Sequence, residues 1–335
     1  MPFPSWVRRI ERQGVARSLA HSRPLEFGWG LEHLGLAGAE DPVTALAAFS
    51  DRAVVEADAF FDHHQGAAPE YSLAGDALTF ATGHAGIDPA NATVHARFTP
   101  PSRRDAPVVV VLGHWGSTLD DYASFAGLLA RLGRGALRVA LPYHDARMAP
   151  WMTYPEPICS PDLGLNLHTV RQAVCDVRRA IDWLVARGYR DVRITGVSFG
   201  AMVAQLVASI DVRVARAAFT FPTGSMTDFL WTSEITARSR ETLAEHVDRA
   251  TVERIWRPVN PAAHAARLVG RALNPLLVTG AHDLVVTPEA SRGIVRVYRD
   301  LGVSHRWVRY GCGHYSIARW PYRTRWIGQV LWALR

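Results

Sequence analysis

The apolar positions of this chain follow two rhythms, which change over near residue 75. Before that point they recur at mixed three- and four-residue spacing, so Trp6 to Leu19 and Val43 to Phe61 read as helices. Asp41–Pro42 opens the second, with proline in the first turn. Between them lies the aromatic and glycine-rich stretch Phe27-Gly28-Trp29-Gly30. Residues 1–75 are therefore expected to form an N-terminal helical extension. Three roles are open to it: packing on the main domain, covering its site, or mediating dimerisation.

From Ala77 onward short apolar runs alternate with amphipathic stretches. Leu78 to Ala81 and Thr93 to Phe98 predict a hairpin. Val108 to Leu112 is an unbroken β-branched run, as a strand covered on both faces requires. Further strands are predicted at Leu137 to Leu141, Val192 to Val197, Ala217 to Phe221, Leu276 to Thr279 and Arg306 to Tyr310. Helices fall between them: one carrying Tyr122, Phe125, Leu129 and Leu132, a long one from Val170 to Val185, a small-residue helix from Phe199 to Ser209, and one started by Thr287–Pro288. Arg323 to Leu334 is the last. Ser225 to Leu268 is helical in composition and is expected to form a small lid near 225–268. The whole pattern predicts an α/β fold over 76–335, a mostly parallel sheet with helices on both faces. Ligands of such sheets bind beyond the carboxyl ends of the strands.

Composition narrows the partners. All 37 basic residues are arginine, and the net charge is +6. The arginines are scattered, with no long basic run interleaved with aromatics, so nucleic acid is not an expected partner. The three cysteines, Cys159, Cys175 and Cys312, lack metal-site spacing. So sparse and odd a count argues against a disulfide scaffold and fits a reducing compartment. No secretory h-region and no bilayer-length apolar run is present, so a cytoplasmic protein without membrane insertion is expected. The oligomeric state is left open.

The chemistry gathers at three predicted strand ends. Gly196-Val197-Ser198-Phe199-Gly200 matches G-x-S-x-G between a strand and a helix, the context in which a serine is exposed on a sharp turn. Ser198 is the candidate nucleophile. A serine hydroxyl near neutral pH needs a positioned base, and the base an orienting acid. In this arrangement the chain order is Ser, acid, His. Asp283 follows the Leu276 strand, with Asp211 and Asp228 as rival acids. His314, on Gly311-Cys312-Gly313-His314, is the one histidine after the last strand, with His282 as rival.

On these three motifs, Gly196 to Gly200, Gly280 to Asp283 and Gly313–His314, the chain from Ala77 to Arg335 resembles the α/β-hydrolase superfamily, esterases and dienelactone-hydrolase-like members in particular. The extension lies outside the resemblance. It implies a Ser198–His314–Asp283 triad acting on a small-molecule ester through an acyl-enzyme, with no metal or organic cofactor. Peptidase, thioesterase and acyltransferase chemistry use the same triad, and a non-catalytic binding module is the reading from another class. The resemblance also implies an oxyanion hole. One donor is the Phe199 N–H. The other comes from Gly113-His114-Trp115-Gly116, which departs from the family's His-Gly order; Trp115 N–H is favoured, with His114 second. Tyr143 and Arg147, on the loop after the Leu137 strand, are candidates to line the pocket, Arg147 by binding a carboxylate. Trp151 and Trp231 are candidates for an apolar acyl pocket.

Overall fold

The computed structural model describes residues 5–21, 26–65, 68–150 and 152–335. Among these residues nine strands form one sheet: β1 (Ser72–Ala74), β2 (Ala77–Ala81), β3 (Thr93–Thr99), β4 (Val108–Leu112), β5 (Gly135–Val139), β6 (Val192–Val197), β7 (Val214–Thr220), β8 (Leu276–Gly280) and β9 (Arg306–Tyr310). Their spatial order is β1-β2-β3-β5-β4-β6-β7-β8-β9. The first three strands run antiparallel to their neighbours, and the pairs from β5 across to β9 are parallel. All five residues of β4 and of β5 are buried, because helices cover both faces of the sheet there.

Twelve α-helices surround the sheet among the described residues: α1 (Ser5–His21), α2 (Pro42–Val55), α3 (Ala57–Phe60), α4 (Ala123–Arg131), α5 (Leu163–Ala186), α6 (Phe199–Ile210), α7 (Met226–Thr232), α8 (Ala237–Ala244), α9 (Arg249–Trp256), α10 (Pro261–His264), α11 (Pro288–Asp300) and α12 (Tyr322–Ala333). Every residue of α6 is buried. Its small side chains let it lie almost on the sheet, and a methyl added at Gly200 would collide with the carbonyls of Leu112 and Gly113. The helices α7 to α10 form the small lid. No helix of the described residues is long and apolar enough to cross a membrane.

The N-terminal segment packs against three parts of the molecule. On the lid, Ser50 Oγ donates to the Ile255 carbonyl at 2.6 Å, and Asp51 pairs with Arg254. At the start of α5, the carbonyls of Gly28 and Trp29 accept from the N–H groups of Leu163 and Gly164, both at 3.0 Å. α1 reaches the loop that follows β9.

Three local expectations shift. The helix read over Val43 to Phe61 breaks at Glu56, whose ψ of 43° leaves the helical region, into α2 and α3. The strand read as Leu137 to Leu141 begins two residues earlier, at Gly135, because the β-sheet register with β4 starts at Val108↔Gly135. β1, within the stretch whose rhythm read as helical, pairs with β2.

Candidate active site

The site is built where β4, β6, β8 and β9 end. Ser198 follows β6 directly and stands at φ 57°, ψ −120°, a conformation that costs a non-glycine residue of order 1–3 kcal/mol. The neighbouring backbone holds it there. Its N–H donates to the Thr220 carbonyl at 2.8 Å, and its carbonyl accepts from Ala201 and Met202 as α6 begins. The turn closes so tightly that a methyl on Gly196 would collide with the Gly200 carbonyl. The start of α6 directs its free N–H groups and the positive end of its dipole to the same place.

Asp283 follows β8 and is buried. Its Oδ1 accepts from the N–H groups of Val285 at 2.8 Å and Val286 at 3.0 Å. Its Oδ2 accepts from His314 Nδ1 at 3.0 Å. That bond fixes the His314 tautomer with the proton on Nδ1, so Nε2 keeps a lone pair to take a proton. The imidazole stacks on Phe221, with ring centroids 4.6 Å apart. Phe221 follows Thr220, the residue whose carbonyl accepts the Ser198 N–H. Asp283, His314 and Ser198 therefore stand on one rim, His314 and Ser198 each against one of two successive residues at the β7 end, Phe221 and Thr220.

The loop after β4 faces this rim. Trp115, Ser198 and Phe199 line one narrow crevice together with Ile158, Cys159 and Met202, and α7 contributes Met226 and Phe229. The N–H groups flanking Trp115 are tied down: His114 N–H donates to Tyr122 Oη at 3.3 Å, and Gly116 N–H to His144 Nε2 at 3.0 Å. Among the described residues no protein acceptor pairs with the N–H of Trp115 or of Phe199. Two backbone donors beside one strained serine are what a developing oxyanion needs.

His144 holds that loop. Its Nδ1 donates to the Pro142 carbonyl at 2.8 Å, which leaves Nε2 as the acceptor for Gly116. Burial, the largest influence, pushes its pKa down to about 4, so the ring is neutral as this bonding requires. The same ring stacks parallel to that of Phe199, the residue after Ser198. His144 is absent from the site residues expected from the sequence. Its position beyond β5, with a histidine-containing loop beyond β4 beside it, was the one available signal. His114 donates or accepts at Tyr122 Oη over 2.8 Å, and burial with the nearby His314 drives its pKa to about 4.

The pocket candidates scatter. Arg147 is fully buried and not offered to a ligand: it pairs with Asp176 at 2.8 Å and donates to the carbonyls of Ala140 and Asn91. The expectation that it binds a substrate carboxylate is corrected on that ground. Tyr143 is buried with Ala149 and Met152 in a separate small cluster, away from the crevice lining, and burial raises its pKa to about 12. Trp231 is half-buried on α7 and does not line the crevice. Trp151 lies outside the described residues. Of the rival acids, Asp228 pairs with Arg249 on the lid and Asp211 with Arg213. Two groups with metal-ligand geometry occur among the described residues, His63/His64/Asp182 and Glu32/His33/Asp162. Neither includes a residue of the crevice, and Asp182 is already paired with Arg213.

No protein-family model and no curated protein matches the sequence. Solved structures do. Acetyl xylan esterase from Paenibacillus sp. R4 superposes with a TM-score of 0.58 at 17% identity, over 94% of this chain and 99% of that one. Acetyl xylan esterase 1 from Thermoanaerobacterium sp. JW/SL YS485 gives 0.59 at 14% identity, over 86% and 93%. The chain has the α/β-hydrolase fold. Acylaminoacyl peptidase from Pyrococcus horikoshii also superposes, at 0.59 and 14% identity over 80% of this chain, which spans 40% of the peptidase's length.

Proposed function

We propose that this protein is a serine hydrolase that cleaves a small-molecule carboxylic ester, with Ser198 as nucleophile, His314 as general base and acid, and Asp283 as its orienter. The observation that carries the reading is the strained Ser198 at the strand–helix turn, on the same rim as a His314 whose tautomer Asp283 fixes. His314 Nε2 takes the hydroxyl proton as Oγ attacks the carbonyl. The N–H groups of Phe199 and Trp115 receive the negative charge that forms on the carbonyl oxygen. His314 then protonates the leaving alcohol, and water, deprotonated by the same nitrogen, releases the acid from Ser198.

The acyl side of the crevice is short and apolar. Its cavity volume of about 20 Å³, walled by Met202, Met226 and Phe229, is far below that of ligand cavities, which run from roughly 300 to 1,000 Å³. A short acyl group fits best. Acetyl esters head the series to be tested, and the names of two structural neighbours point the same way. The test is turnover of p-nitrophenyl esters of increasing acyl length beside aminoacyl amides and thioesters, for the native protein and Ser198→Ala. Fastest turnover at acetyl to butyryl esters is expected. Preferred cleavage of amides would transfer the reading to a peptidase, and Ser198-independent turnover would end it.

A further inference from the structure

Glu11 is a carboxylate that the proposed chemistry leaves unused. It lies in the middle of α1 and is 0% exposed. Removing a carboxylate from water is costly, so its partners must compensate. Among the described residues, all of its hydrogen-bond partners are on the loop that carries His314. Glu11 Oε1 accepts from Ser316 N–H at 2.8 Å, from Ser316 Oγ at 2.7 Å and from Tyr315 N–H at 3.2 Å. Ser316 Oγ in turn accepts from Gly313 N–H at 2.9 Å. A methyl on Gly313 would collide with the Glu11 carboxylate, so the loop is pressed directly against it. About two turns further along α1, Ser18 Oγ meets Tyr315 Oη at 2.8 Å.

The residues on both sides of His314 are thus bound, directly or through Ser316, to one acid of the N-terminal helix. Asp283 grips the imidazole from the other direction. Burial raises the pKa of Glu11, and the bonds from Ser316 and Tyr315 oppose that rise by favouring the carboxylate form. We propose that Glu11 is a positioning residue that fixes the 313–316 backbone so that the His314 ring stands between Asp283 and Ser198. The N-terminal helix is then a working part of the site. This rests on the reading of Ser198, His314 and Asp283 given above.

The test uses full-length protein and compares Glu11→Ala, Glu11→Gln, Ser198→Ala and Leu46→Ala. Leu46 is a fully buried residue of α2 and serves as a control for general destabilisation. Rates of fluorophosphonate labelling, kcat and KM for p-nitrophenyl acetate, and Tm are measured for each. Glu11→Ala is expected to label and turn over roughly 10- to 100-fold more slowly with KM nearly unchanged, the scale set by a misplaced reacting group. Glu11→Gln should fall between it and the native protein, because one oxygen can still accept from Ser316 while the amide faces a backbone donor. Leu46→Ala, at a temperature below its own Tm, should label at close to the native rate. Native-rate labelling of Glu11→Ala, or an equal loss in Leu46→Ala, overturns the proposal. Should Glu11→Ala not fold, Glu11→Gln decides, and a native rate in it is equally fatal. Undiminished labelling of Ser198→Ala would remove the parent reading, whereas loss there with a native rate in Glu11→Ala removes the role of Glu11 alone.

Discussion

The two halves of the candidate triad are held by different means. Ser198 is held by the chain next to it: β6 before it, α6 after it, the Thr220 carbonyl beside it. His314 is held by side chains from elsewhere, Asp283 31 residues away and Glu11 more than 300 residues away. A position fixed by local backbone shape survives substitution of any distant residue and fails only if the turn itself is lost. A position fixed by a side-chain network can fail gradually, one bond at a time. The serine end should therefore respond to mutation in an all-or-none manner and the histidine end in steps.

Ser198→Ala probes the first case. It is expected to lower kcat by roughly 10⁵ to 10⁶, the cost seen when a nucleophile of a working triad is removed. Titration with an activated ester should show no burst, while Tm stays near native or rises, because alanine in the same turn loses only a hydroxyl. A burst of native amplitude would break the comparison at its first term.

Asp283→Asn probes the second. An amide accepts from Val285 and Val286 as well as the acid does, so the loop keeps its shape. It can also present a donor to His314 Nδ1, which favours the wrong tautomer. A loss of about 10³ to 10⁴ in kcat with little change in Tm is expected. Equal losses in kcat and stability would mean that Asp283 only builds the loop, through the two N–H groups it caps.

The difference between the two ends also explains what could be read from the sequence. Most local features were legible, though the break at Glu56 and the β1–β2 hairpin were not. The β-branched run of β4, the G-x-S-x-G turn, the Thr287–Pro288 start of α11 and the histidine after β9 all carry their signal within a few residues. The other failures depend on distant pairing. Arg147 sits on a loop at the site end of the sheet, and its sequence context contains nothing of Asp176, which comes 29 residues later on α5 and draws the guanidinium inward. The two-residue shift of β5 had the same origin, since the register is set by β4 and not by β5 itself. Glu11 did leave a trace. Val7, Glu11 and Val15 are four residues apart, and all three are buried, so an acid interrupts the apolar stripe of α1. A carboxylate in such a stripe is a sign of a partner brought from far away.

Arg147 supplies a third case, in which a distant pair supports the fold and not the site. Arg147→Met keeps the volume and leaves the Asp176 carboxylate buried with its main partner gone. Breaking one side of a buried ion pair costs about 3–5 kcal/mol, and urea unfolding at pH 7 should show a loss of that order. The KM for p-nitrophenyl acetate should be unchanged below the new Tm. A raised KM at full stability would restore the role in substrate binding that the sequence suggested.

The smallest effect belongs to His144, which lies between the two cases: it is a distant side chain, yet it holds backbone. His144→Gln keeps an acceptor for Gly116 N–H but not the same reach, so the loop with the Trp115 donor loosens. A fall in kcat of about tenfold is expected, less than the 10²–10³ for removing an oxyanion donor outright. The bond also has a pH signature. The folded-state pKa of about 4 lies below the ordinary 6.5, so the unfolded chain takes up a proton that the folded protein refuses. Above pH 6.5 both states are neutral and the full contribution of His144 is present. As the pH falls from 6.5 toward 4 that contribution shrinks, and near pH 4 the ring protonates in the folded protein and Nε2 turns from acceptor to donor. His84, His114 and His168 have similarly lowered values, but they are common to both proteins and cancel in the difference. The stability advantage of the native protein over His144→Gln, measured by urea unfolding, should therefore narrow between pH 7 and pH 4.5. An advantage that is constant with pH would show that His144 does not act as a neutral acceptor, and the oxyanion loop would then be held by its own turn, as Ser198 is.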